Sequence, residues 1–458
     1  MQFQKVRMSP LAPVALSVCL ILFSAAATAQ VAGQVEFSRG VGFAQTPGQT
    51  PRTLGKGLPL REGDRLTTSE GASAIIRLED GTRMTVRPNS EIVLQQYQFK
   101  ENAPDNTMLM QLVRGGFRAV TGLISKNAPN AARIQTSTAT IGIRGTDFDA
   151  RICTRDCATE SSGVTESARP NAVQASAKVV SSQGVIDAVD GAGQRRRLVN
   201  GGSVYPGDLI ETGTGTRAVL AFRDDTRITV GATTRFRVDN FVFDEQNAGE
   251  GRFLASVLKG SVRALTGLIA KANHRNVGFS TATATIGIRG TGVDINCTGA
   301  CAGEPGGADS GLTLFTWLGS IAVTLTGQTA LQVLQAGQGL FISPAGIRPI
   351  ASQPPMDGPR PDTVTVPPKL FSRDNVSDAE EGLFVFVRVG HIEVATASEV
   401  LHLGRGEAGF ANNNGSTARP TNIPKFLDFD KIPLPNARNP LLVSVLADAG
   451  IKPNNQCK

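Results

Sequence analysis

Thr136-Ser-Thr-Ala-Thr-Ile-Gly-Ile-Arg-Gly-Thr146 returns as Thr281-Ala-Thr-Ala-Thr-Ile-Gly-Ile-Arg-Gly-Thr291, with ten of eleven residues identical. The likeness extends outward from this stretch. Arg118-Ala-Val-Thr-Gly-Leu-Ile-Ser-Lys126 returns as Arg263-Ala-Leu-Thr-Gly-Leu-Ile-Ala-Lys271, Gly63-Asp64 as Gly207-Asp208, and Cys153-x-x-x-Cys157 as Cys297-x-x-x-Cys301. Order and spacing kept over about ninety residues mean two copies of one module.

The module is all-β by pattern. Ala74, Ile76 and Leu78 alternate with the residues between them, Asp80-Gly81 follows, and Met84 and Val86 continue the apolar face. Asp-Gly is a strong hairpin signal of the type I′ kind. In the second copy Ala218, Leu220 and Phe222 lead to Ile228 and Val230 through Asp224-Asp225. That turn is expected to be looser, because Asp tolerates positive φ less well than Gly. The expected fold is two tandem β-sandwich or β-roll modules of short strands and hairpins, with a small C-terminal β unit. No helix of two turns is evident.

The flanks suggest how the modules join. Residues 177–204 read as a hairpin that ends copy one and leads into copy two, as 33–60 precede copy one and 312–342 follow copy two. The expected layout is a module at 31–155, a polar surface loop at 156–176, and a module at 177–345 with the hairpin 177–204 shared. A Pro-rich linker of polyproline character follows at 346–369 and a β unit with an irregular tail at 370–458.

The chain has 458 residues, including 50 Gly, 25 Pro and only 3 His, which leaves little material for His-based catalysis or a His-rich metal site. Residues 1–29 read as a cleavable export signal: Lys5 and Arg7, an uncharged run from Leu11 to Phe23, then Ala27-Thr28-Ala29 before Gln30. Of 46 Lys and Arg, two lie in that segment, so 44 face 39 acidic residues and the remainder carries +5. So mild a charge does not argue for nucleic acid. Residues 310–347 carry no charge but alternate like strands, so no membrane span is expected after the signal is removed.

Gly63-Asp64-Arg65-Leu66-Thr67, Asp80-Gly81-Thr82, Pro88-Asn89-Ser90, the strand Leu112 to Phe117 and Thr136 to Phe148 together resemble the FecR-type periplasmic domain. The resemblance covers roughly 31–155 and 177–343. Copy two departs from it at Asp225, Ala232 and Gly292-Val293. It implies a periplasmic interaction domain like that of regulators of iron-transport sigma factors, which contacts a TonB-dependent transporter. The cytoplasmic anti-sigma segment and the membrane span that precede the domain in those regulators are not expected here, where residues 1–29 read as an export signal. Other exported proteins similar to this family pair the domain with cell-wall-binding modules, and no such module is evident either.

In an oxidising compartment Cys153 and Cys157, and Cys297 and Cys301, are expected to be structural disulfides. An extended chain would place each pair too far apart, so a turn is expected there. Four cysteines allow three pairings, and Cys457 is left over. Arg144-Gly145-Thr146 and Arg289-Gly290-Thr291 read as strand junctions in which Arg braces a buried carboxylate. Asp64, Asp208, Asp149 and Asp294 are the candidate partners. Arg195, Arg196, Arg197, Arg227, Arg235 and Arg237 form a basic face, a solvated surface or a contact for an anionic partner. Asp147 and Asp149 share one strand face and do not make a glycosidase pair. No metal or cofactor motif is present. The expected function is that of an exported, non-enzymatic scaffold in a Gram-negative envelope, for interaction or ligand sensing, with an envelope protein or anionic wall polymer as partner. The alternatives are an accessory in transporter and sigma-factor signalling, and an envelope glycan enzyme.

Overall fold

The structure is a computed structural model that describes residues 31–128, 131–429 and 432–435. The export signal, Cys19, Cys457 and the stretch Leu441 to Ala449, read as a short terminal helix or strand, lie outside the described residues. The described chain is nearly all β, in two connected ladders of 16 and 15 strands.

The two modules are built alike. Each begins with a hairpin set against the inner strand that the alternation marks. Val31–Arg39 pairs with Pro59–Arg61 and Ser73–Leu78, and Ala177–Gln183 pairs with Ser203–Val204 and Arg217–Phe222. Each also contains a long strand carrying Arg-Gly-Thr, Thr140–Cys153 or Ala284–Cys297. That strand needs an antiparallel neighbour on its far side. In the second module the neighbour is the next strand of the chain, Leu312–Leu325. In the first it is Gly382–Ala395, which arrives only after the whole second module has been laid down.

Module two is therefore an insertion within module one. The hairpin strands of 177–204 pair only within the second ladder, so this segment opens module two and is not shared. The C-terminal unit closes module one. Its strands Val400–Leu403 and Ala408–Asn412 flank Gly382–Ala395 as Leu331–Gln335 and Gly339–Ser343 flank Leu312–Leu325. The closing strand is apolar on both sides for a physical reason. Leu383, Val385 and Val387 enter the core of module one, while Phe384 and Phe386 pack with Phe410, Phe426 and the Cys153–Cys157 pair.

The segments expected as a loop and a linker are docked. Within 156–176 lies a helix, Asp156–Ser162, and the Asn171 side chain is fully buried, bonding both backbone groups of Ala408. The prolines after 350 lie on module two, where Thr229 donates to Pro359 O (2.9 Å) and Gln353 to Asp294 (2.7 Å). Module one has the counterpart: Thr85 donates to Pro433 O (2.7 Å). The two hairpin turns also match. Only Gly81 and Asp225 have positive φ, so neither turn is type I′. Asp80 and Asp224 each accept from a Thr amide (3.1 Å) and hydroxyl (2.9 Å), so the second turn is not looser.

Ile392→Ala removes core volume from the closing strand and is expected to cost about 2–5 kcal/mol. Hydrogen exchange should then show lost protection in Thr140–Cys153 with Ala284–Cys297 unchanged. Equal loss in both ladders, or none in Thr140–Cys153, would contradict this closure.

Candidate functional site

Arg-Gly-Thr marks a bulge in the long strand of each module, with the register shifting between Arg144 and Asp147 and between Arg289 and Gly292. Gly145 and Gly290 take positive φ there. The facing residues are also glycines, Gly390 and Gly319, and a methyl on either would overlap the carbonyl of the bulge glycine. The threonines lock the bulge. Thr146 N donates to Thr121 Oγ1 (2.8 Å) and the Thr146 hydroxyl donates to His391 O (3.0 Å); Thr291 does the same with Thr266 (2.9 Å) and Ser320 O (2.7 Å).

The arginines of the motif are not the braces expected of them. Arg289 is exposed, and Arg144 is half-buried, its pKa lowered by burial against the pull of Glu393. Other arginines reach the four carboxylates. Arg52 pairs with Asp64 (2.6 Å), Arg196 with Asp208, Arg388 with Asp149 (2.8 Å) and Arg263 with Asp294 (3.1 Å). Asp147 pairs with Arg118 at 3.5 Å.

The six-arginine face is largely neutralised. Arg195 bonds Asp187 and Glu211, Arg197 bonds Asp187, Arg235 bonds Glu211, and Arg237 bonds Asp239. Arg196 is held by Asp208, and Arg227 donates to Val364 O (3.2 Å). Cross-strand pairing gives most of these cations a carboxylate, which leaves little field for an anionic polymer. Cys153 is bonded to Cys157 and Cys297 to Cys301, with Cα atoms 5.6 and 5.2 Å apart, around the short helical turns at 156–162 and 299–302.

The most unusual chemistry lies where the modules meet, and the sequence reading missed it. Lys178, on the first strand of module two, is fully buried. It donates to Glu407 (3.0 Å) and to His402 O (2.9 Å) on the closing unit of module one. Arg419, also buried, donates to the same Glu407 oxygen (2.9 Å) and to His402 O (3.0 Å). Burial pushes the Lys178 ammonium down to about 8 against the pull of Glu407. Burial alone would raise Glu407, but Lys178 and Arg419 outweigh it and hold the carboxyl below its usual range. Around this triad, Arg405 N donates to Tyr205 Oη (2.9 Å), with the Arg405 guanidinium over the Tyr205 ring. Gly201 lies flat against the His402 ring, where a methyl would not fit. His402 stacks on His391, ring centres 5.5 Å apart. Burial and the nearby cations Lys178, Arg144 and Arg419 push His402 down to about 4. Burial, His402, Lys178 and Arg144 hold His391 well below its ordinary value. The available signal was a lone Lys in the apolar run Ala177 to Val180, a charge that a buried strand must pair.

Each module carries one shallow cleft, on different strands. One, of about 340 Å³, is lined by Asp187, Arg195, Glu211, Arg235 and Lys259; the other, of about 360 Å³, by Asn89, Arg114, Arg151 and Asp156. Their charged groups are already paired with one another or nearby, as Arg151 is with Asp156 and Glu160. Among the described residues no helix is long and apolar enough to cross a membrane.

Residues 64–166 and 208–302 match the family described as FecR protein. No curated protein matches the chain. Two crystal structures of a candidate anti-sigma factor from Parabacteroides distasonis are similar over 31% of this chain and 59% of theirs, at 14% identity and a TM-score of 0.24.

Arg263→Ala leaves the buried Asp294 carboxylate without its cation, held only by the neutral donors Trp317 and Gln353, and should destabilise by about 3 kcal/mol. Arg289→Ala should stay within about 0.5 kcal/mol. Urea unfolding checks both, and equal losses would restore the bracing role to Arg289. Acid should loosen the joint. The fold favours neutral His391 and His402, whereas the unfolded chain takes up these protons near pH 6.5. The histidine contribution is then complete above about pH 6.5 and is lost as pH drops toward 4, by up to about tenfold in the folding constant per pH unit for each proton. The facing groups are Lys178, Arg144, Arg419, Glu393 and Glu407. Thermal unfolding against pH should show this slope, and His402→Gln should flatten it.

Proposed function

Because residues 64–166 and 208–302 are two tandem FecR-type domains, we propose that this protein is an exported, non-enzymatic scaffold of the Gram-negative envelope that works by binding. The observation that carries the reading is the joint between the modules. Lys178, Glu407 and Arg419 form a buried charge network spanning module two and the closing unit of module one, which holds the two modules in one orientation and supports a reading of them as one platform. The carboxylates that suggested chemistry support the same reading. Asp64, Asp147, Asp149, Asp208 and Asp294 are each committed to an arginine of the frame. Because the Arg195-to-Arg237 face is largely neutralised, a protein partner fits better than an anionic polymer.

Osmotic-shock extraction followed by N-terminal sequencing tests export, with a mature start near Gln30 expected. In-cell crosslinking of that form should capture a defined envelope protein. An unprocessed chain retained in the cytoplasm, or release of soluble fragments from envelope glycan by the purified protein, would overturn the proposal.

A further inference from the structure

The contact that joins the modules has a front and a back, and each module carries both. The front is the N-terminal hairpin of a module and the back is the far edge of its closing unit. Inside the chain, the front of module two (Lys178, Gly201, Ser203, Tyr205) sits on the back of module one (His402, Gly404, Arg405, Glu407). The front of module one and the back of module two repeat these positions. Gln34, Gly57, Pro59 and Arg61 each lie 144 residues before their module-two equivalents. Val333, Gln335, Ala336 and Gln338 each lie 69 residues before theirs. The backbones match: Gly57 N donates to Val35 O (2.8 Å) as Gly201 N does to Val179 O (2.7 Å), and Gly337 N to Thr316 O (2.7 Å) as Gly406 N does to Val387 O (2.7 Å).

These two repeats are open in the described structure. Gly201 and Ser203 are buried, but Gly57 and Pro59 are exposed. Glu407 is 0% exposed, whereas Gln338 is exposed and Val333 is 40% exposed. Leu331–Gln335 pairs only with Leu312–Leu325, so its outer side is a bare sheet edge, and Leu331 stands 57% exposed. Soluble proteins guard such edges with charges, prolines or bulges. Residues 331–338 carry no charge and no proline.

The chemistry of the two open faces changes in step. The buried joint sets Lys178 against Glu407, with Arg419 as third member. At the open faces the corresponding residues are Gln34, Gln338 and Pro349, so all three charges disappear together. Two glutamines can exchange amide hydrogen bonds where an ion pair stood. Gly57 matches Gly201, and Val333 stands where His402 stands. Arg61 matches Tyr205 and Ala336 matches Arg405, so superposing one contact on the other would bring no like charges together. Losing one partner of the pair alone would leave a buried charge stranded, whereas losing all of them leaves a neutral contact.

We propose that the protein associates head to tail with a second copy of itself, the N-terminal hairpin of module one in one copy docking on the Leu331–Gln338 edge of module two in the next. The contact reproduces the internal joint without its buried Lys–Glu–Arg group. It is heterologous, so it builds a ring if the rotation closes and a filament if it does not.

The test mixes two single-cysteine variants carrying tags of different size, Pro59→Cys and Gln335→Cys, each with Cys19→Ser and Cys457→Ser. Their equivalents, Ser203 and Gly404, touch in the internal joint. Under mild oxidation the mixture should give the mixed-tag dimer in excess over either same-tag dimer. Sedimentation of the native protein should show mass rising with concentration. Val333→Asp, on an exposed position, should abolish both effects and leave the melting temperature unchanged. A monomer at all concentrations without the mixed dimer would overturn the proposal. Association that persists in Val333→Asp would do the same, since it would have to use another surface.

Discussion

The pairing of Thr140–Cys153 with Gly382–Ala395 is the constraint on which the rest of the molecule depends. It gives module one its missing neighbour, completes its core with Leu383, Val385, Val387, Ile392 and Val394, and bends the chain back after some 230 intervening residues, 153 to 382. Loop closure over such a distance adds only logarithmically to the entropic cost of folding. If module two folds first, it also holds the ends of its own insertion near each other. The cost falls more on kinetics than on stability. Until residue 395 is available, the long strand of module one presents an open edge. Module two has its closing strand nearby in sequence and can complete itself earlier.

The insertion explains why the joint is made from such awkward material. A buried Lys–Glu–Arg group is weak evidence for stability, since desolvation offsets much of the attraction. It does discriminate between arrangements. With Lys178 on the front of one module and Glu407 and Arg419 on the back of the other, any displaced docking strands a charge in an apolar setting. Asn171 strengthens the selection by bonding both backbone groups of Ala408 and the carbonyl of Pro420. The segment entering module two and the unit closing module one are thus tied at the same place. This arrangement gives module two two attachments and one orientation.

Much of the fold was legible in the sequence, because turn chemistry and alternation act locally. The repeat at 136–146 and 281–291, the Asp80-Gly81 hairpin and the four paired cysteines all report on neighbours within a few residues. Long-range pairing leaves a weaker trace. The decisive trace was present: Gly390-x-Ile392-x-Val394 repeats Gly319-x-Ile321-x-Val323, because each glycine must pass the bulge of Gly145 or Gly290. Adjacency in the chain argued the other way and read 177–204 as a hairpin shared by the two copies. The bracing arginines were misplaced for a related reason. Arg144 and Arg289 stand out by repetition, but Arg388 and Arg263 reach the carboxylates, and only three-dimensional register distinguishes them. Lys178, Glu407 and Arg419 repeat nowhere, so no comparison between the copies could reveal them.

That lack of repetition carries a physical meaning. Residues retained in both copies, such as Asp64 and Asp208, Thr146 and Thr291, or Gly145 and Gly290, are those a module needs to fold. Residues that differ at matched positions record what each module faces. At the joint the differences are ionic because the contact is permanent, its partners tethered at high effective concentration, and a charged pair there selects one register. At the two open faces the positions matched to Lys178, Glu407 and Arg419 are neutral. A neutral surface can go from wet to buried without desolvating an ion, which suits a contact that must form and part between separate molecules. The same hairpin-on-edge geometry thus serves two regimes, and the charge on three side chains sets which regime applies.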